Sequence, residues 1–193
     1  MFVALFAFSS CTAIPPEAQR ESLTSRTGLS LTYTPPAGWG GPSRQTPPTY
    51  DAWSFSRDSS NIVIRVDRAS KDSAAKLHRW LDASDADVTA SLRQQWENPR
   101  AETIDYIRVD GFTMRIRAAH HVAGEQAWGN ALVGQSELTL ELDTDTTEEF
   151  SEYLPTFMQF VRSVRIESQV GATPGPNHAL QPTAGRSTKK VES

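Results

Sequence analysis

A chain of 193 residues is the size of one folding unit with extensions, and 38% hydrophobic residues diluted by polar ends are enough for a buried core. With 19 basic against 23 acidic residues and a net charge of -4, it lacks the positive footprint that nucleic-acid binding requires. Its single cysteine excludes an internal disulfide, a CxxC redox pair and any multi-cysteine zinc site.

The chain begins MFVALFAFSS, an apolar run short of the ~20 residues that span a bilayer but within the length of a signal-peptide hydrophobic segment. Phe8-Ser9-Ser10-Cys11 then resembles the lipobox of bacterial lipoproteins, in which small residues precede a cysteine that is cleaved at and lipidated. Residues 1–13 are therefore expected to be a signal segment with Cys11 as its lipidation site; the missing basic residues before the apolar run fit a start codon placed too far downstream. The alternatives are another kind of secretory signal, or an apolar first strand or helix with a buried cysteine. Residues 14–27, polar and carrying Pro15-Pro16, read as a tether.

The domain is expected over 28–167. Leu29, Leu31 and Tyr33 alternate with polar residues and end at Pro35-Pro36, which predicts a strand and then a reversal at Ala37-Gly38-Trp39. A Pro/Gly-rich loop follows, and then Trp53 with Phe55, and Ile62, Ile64 and Val66 over Asn61 to Asp67, predict two half-buried strands. Ala74, Leu77, Trp80 and Leu81 have helical spacing between Lys71 and Asp82. Val88, Leu92 and Trp96 repeat it, with Ser84 or Asp85 as N-cap and Asn98-Pro99 as the stop.

Asp110-Gly111 is the sharpest local signal, because it supplies the positive φ angles of a type I′ hairpin turn between alternating residues. The resulting register sets Val109 against Phe112 and Ile107 against Met114, with Tyr106 beside Arg115 on an opposite face taken to be tolerant of change. Further strands are predicted around Ala127 to Val133 and Glu137 to Asp143, the latter with one wet face. Phe150, Leu154, Phe157, Met158, Val161 and Val164 predict a helix from about Thr147 to Ser163, either kinked or restarted at Pro155. Residues 168–193, rich in Gly and Pro and including the phrase NHALQPTAG, read as a disordered tail. Because Arg186, Lys189, Lys190 and Glu192 lie in it, the rest of the chain has 16 basic and 22 acidic residues, a net of -6.

Three strands, two helices, four strands and a terminal helix make an α+β domain, an antiparallel sheet flanked by helices. The order of parts resembles the PsbP-like superfamily. The likeness lies in Tyr33-x-x-Pro36-x-x-Trp39, the strand at Asn61 to Asp67, the Asp110-Gly111 hairpin and the closing Phe160-Val161-Arg162-Ser163-Val164. It implies an α/β/α sandwich and a binding or accessory protein, often membrane-attached, with no active-site residue to carry over.

GxSxG, HExxH, GxGxxG, Walker and EF-hand patterns are all missing from the sequence. His120-His121 with Glu125 has the donors for zinc, but neighbouring strand residues point to opposite faces, so a polar loop is the preferred reading. His78 reads as a surface or boundary residue. The stretch Glu137 to Tyr153 holds seven carboxylates and neither Lys nor Arg. It is either a solvated strand face with a dipole-matched helix start or a docking surface for a basic partner. Glu141, Asp143, Asp145 and Trp39, the tryptophan most exposed by position while the other four read as core, are the candidate partner-binding residues. The expectation is a lipid-anchored envelope protein that binds another protein, without catalysis, metal or cofactor. A small-ligand pocket between sheet and helices is the alternative, followed by a hydrolase of unfamiliar motif.

Overall fold

A computed structural model of the chain describes residues 19–167. Cys11, the signal segment and the 168–193 tail lie outside them. The elements run β1 (Glu21–Thr24), β2 (Ser30–Tyr33), β3 (Gly40–Gln45), β4 (Tyr50–Arg57), β5 (Ser60–Arg68), α1 (Ser73–Asp82), α2 (Asp85–Leu92), β6 (Arg100–Val109), β7 (Phe112–His121), β8 (Gly124–Val133), β9 (Ser136–Thr144), α3 (Thr147–Ser163) and β10 (Arg165–Glu167). This is α+β with antiparallel pairing throughout. A seven-stranded sheet has the order β3-β4-β5-β9-β8-β7-β6, and β1, β2 and β10 form a small second sheet.

The alternation predicted from sequence becomes the core. Ile62, Ile64 and Val66 pair with Leu142, Leu140 and Leu138 across β5 and β9, and all six are fully buried on one face. Here α3 contributes Phe150, Tyr153, Phe157, Met158, Phe160 and Val161, and the small sheet contributes Leu23, Leu31 and Tyr33. Tyr33, Phe55 and Phe160 meet edge to face with centroids 5.6 to 5.9 Å apart, the arrangement that ring quadrupoles favour. α3 is capped by the Thr146 hydroxyl, which accepts from the Glu149 N–H, and it runs through Pro155 as one helix.

Asp110 and Gly111 have φ of 42° and 88°, as a type I′ turn demands. The register sets Val109 opposite Phe112, Ile107 opposite Met114 and Tyr106 opposite Arg115.

Three expectations are corrected. The end of the proposed tether is β1, with Leu23 and Ser25 buried, because its backbone pairs with β2. The Pro/Gly loop contains β3, a fully exposed edge strand whose register breaks between Gly40 and Ser43. Arg115 does not lie on a wet face. Both Arg115 and Arg117 are buried, at 8% and 0% exposure, because α1 and α2 cover that side of β6 to β8.

Candidate functional site

The large sheet has a second face, on which residues alternate with the core set. Over β6–β8 it is covered by α1 and α2, where Trp80, Trp96 and Trp128 pack around Val88, Leu92, Ala101 and Ala119. Trp53 alone among the five tryptophans is buried, while Trp80, Trp96 and Trp128 are half-buried at the helix pair. α2 starts in a capping box in which Ser84 and Asp87 satisfy each other's backbone N–H.

Two arginines clasp the joint between the helices. The Arg117 guanidinium donates to the carbonyls of Trp80 and Ala83, both at 2.6 Å, and lies over the Trp80 ring at 4.5 Å. Arg115 donates to the carbonyls of Leu81 and Ala83, to the Thr103 hydroxyl and to Asp85, and stacks on Tyr106. Positive charge thus sits at the carbonyl end of α1, where the helix dipole favours it. Burial raises the Asp85 pKa, but hydrogen bonds from Thr103 and the two arginines outweigh it and hold the carboxyl below the ordinary aspartate value. These residues staple the helix pair to the sheet.

Beyond the helix pair the same face is uncovered. Ser54 pairs with Val63, Val63 with Glu141 and Glu141 with Trp128, so these four form a row across β4, β5, β9 and β8. Asn61, Asp143 and Gln126 form the next row. Glu141 is half-buried and makes no hydrogen bond or ion pair among the described residues. Burial, reinforced by Asp143, pushes its carboxyl up to about 7, with Arg65 offsetting only part of the rise. That arginine is committed to Asp67, by bonds of 2.7 and 3.0 Å, and to the Tyr50 ring. Asp143 is also raised, by burial and against the pull of Gln126 and His121.

Glu141 and Asp143 therefore share one open face, with Asp145 exposed just past the end of β9. Trp39 does not join them. It is half-buried against the α3 side of the sheet, its ring 5.2 Å from Tyr153, which corrects the expectation of an exposed indole. The histidines separate as strand alternation requires. His120 bonds Glu125 at 2.7 Å and Glu102 at 3.3 Å near Phe150, whereas His121 stacks on Trp96 at 4.3 Å on the opposite face. The three potential zinc ligands are thus not brought together. His78 is exposed.

A cleft lies where α1 passes over β8 and β9. It encloses about 280 Å³ between Lys76, Leu77 and Trp80 on the helix and Asn130, Leu132 and Glu137 on the strands. No described helix is long and apolar enough to cross a membrane.

No family model matches the chain, and no curated protein matches it. Among solved structures it is similar to cyanobacterial PsbP (CyanoP) from Synechocystis sp. PCC 6803, at 15% identity over 83% of this chain and 99% of that one, with a TM-score of 0.46. It is also similar to the Ran-binding protein Mog1p of Saccharomyces cerevisiae, at 13% identity over 76% of this chain and 95% of that one, with a TM-score of 0.44.

Proposed function

We propose that this protein is a non-catalytic binding domain that docks a basic partner protein on the uncovered face of β4, β5 and β9. One observation carries the reading: Glu141 is held half-buried on that face, raised in pKa and without a hydrogen-bonding or ion-pairing partner of its own. Keeping a carboxylate partly desolvated and unpaired is costly. A lysine or arginine arriving from outside would relieve both the desolvation and the repulsion from Asp143. The net charge of -6 ahead of the tail adds a field that steers basic surfaces towards it. The lipobox-like segment supplies the address in this reading, a lipid on Cys11 holding the domain at the cell envelope of a bacterium.

The test is capture from envelope extracts with the wild type and with Glu141→Gln/Asp143→Asn. The wild type should retain a basic protein that is released by added salt, and the double variant should lose it. Equal capture by both would overturn the assigned face. In cells, Cys11→Ala should move the protein from the membrane to the soluble fraction; a wild type already soluble and full length in the cytoplasm would overturn the address.

A further inference from the structure

The cleft under α1 has a chemistry unlike that of the acidic face. Its lining is mixed: Leu77 and Trp80 from the helix and Leu132 from β8, all half-buried, make its apolar side. Its polar side, Ser73, Lys76, Asn130 and Glu137, offers both donors and acceptors. The Asn130 side chain accepts a hydrogen bond from the Thr139 hydroxyl at 2.8 Å, which fixes the oxygen towards β9 and leaves its NH2 as the free donor. Lys76 forms no ion pair among the described residues and carries a second set of donors at the rim. Across from them, Glu137 Oε1 accepts from the Ser73 hydroxyl, and Oε2 remains an acceptor without a partner among the described residues.

We propose that this cleft binds a small zwitterion with an apolar side chain, an α-amino acid of the leucine or phenylalanine kind. Asn130 and Lys76 meet its carboxylate, Glu137 meets its ammonium group, and the side chain lies against Leu77, Trp80 and Leu132. Single-charge analogues fit worse for a definite reason in each case: a carboxylic acid without the amine faces Glu137 unpaired, and an amine without the acid faces Lys76. The volume of about 280 Å³ lies just below the ~300–1,000 Å³ usual for ligand pockets, which suits a ligand of this size. The cleft uses Glu137 of β9 and the docking face Glu141 and Asp143 of the same strand, so the two readings rest on different residues and can be tested separately.

The experiment is an NMR titration of the full chain labelled with nitrogen-15, followed at the Asn130 side-chain amide and the Trp80 indole. The probes are L-leucine and L-phenylalanine, with 3-phenylpropionate and phenethylamine as single-charge controls, each taken to about 10 mM so that a millimolar site would register. The expected result is saturable shifts at both signals with the amino acids and at least tenfold weaker binding of both controls. Glu137→Gln should weaken the amino acids at least tenfold and leave 3-phenylpropionate unchanged or tighter. Leu132→Trp should fill the cleft and abolish the response; if that variant fails to fold, Leu77→Trp fills it from the helix side. No saturable shift with either amino acid, equal affinity for all four probes, or an undiminished response in a folded filled variant would each overturn the assignment.

Discussion

Replacing Glu141 by Gln should make the protein more stable at pH 8 and leave it unchanged at pH 4. The carboxyl rises from an ordinary 4.5 to about 7 on folding, so between those values the native state holds a proton that the unfolded chain has released. Stability from this group is fully present below pH 4.5 and is lost as the pH climbs through about 7. At about 1.36 kcal/mol per pKa unit the ceiling is near 3 kcal/mol, and because water reaches part of the side chain an effect of about 1–3 kcal/mol is expected. Glutamine cannot ionise, so it avoids the loss. Asp51 and Asp85 do not obscure the window: both are held below the ordinary aspartate value of 3.8, so their stability is lost only as the pH falls through still more acidic values. Urea titrations from pH 4 to 8 read the difference directly; with a slope of ~1–3 kcal/mol per molar, the midpoints should separate by roughly 1 M at pH 8. A variant-minus-wild-type difference that stayed constant over that range would refute the claim that burial of Glu141 costs the folded protein anything. It would also remove the main support for a docking face there.

Other outcomes follow from the same geometry. Arg117→Met should cost about 3 kcal/mol in denaturant titration, since the Trp80 carbonyl loses its side-chain donor and a buried charge network is broken. Arg115→Lys should cost about 1–3 kcal/mol, because one ammonium cannot reach two carbonyls, Thr103 and Asp85 together. Gly111→Val should cost about 1–3 kcal/mol through backbone strain alone, a Cβ there meeting nothing within 4 Å, and Gly111→Asn should recover most of the loss. Gly124→Ala should be worse, roughly 3 kcal/mol or more by thermal melting, since its φ is +148° and a Cβ would lie 2.5 Å from the Thr144 carbonyl oxygen.

The elements legible in the sequence are those whose side chains do the packing. The strands β5 and β9 announce themselves by strict alternation, α3 by its apolar stripe, and the β6–β7 register by a two-residue turn that admits one solution. The strands β1, β3 and β10 were illegible because backbone pairing at sheet edges holds them, and such pairing asks nothing of residue pattern. The arginines misled for a related reason. Polar residues alternating with Met114 and Ile116 imply a second face, but not whether helices will cover it. Half of the candidate site could be read: Glu141 and Asp143 lie on one face by parity alone. The other half could not, since the cleft exists only where α1 crosses β8 and β9, and Trp39 is drawn to Tyr153 by a contact over a hundred residues distant in the chain.

The breaks in register at the two outer strands bear on how the molecule meets copies of itself. A long sheet with an open face is ordinarily a hazard, because its rims offer unpaired backbone groups to any passing strand. Here β3 places Pro42, which has no N–H to offer, in the middle of its rim, and its pairing slips between Gly40 and Ser43. On the far rim β6 is bent by an irregularity between Thr103 and Asp105, and Asp105 is tied to Arg162 of α3 by an ion pair of 2.8 Å. Both rims are poor templates for amyloid-like growth. Copies of the molecule thus find little purchase for strand-to-strand pairing at either margin of the large sheet, while its uncovered face stays open to other molecules.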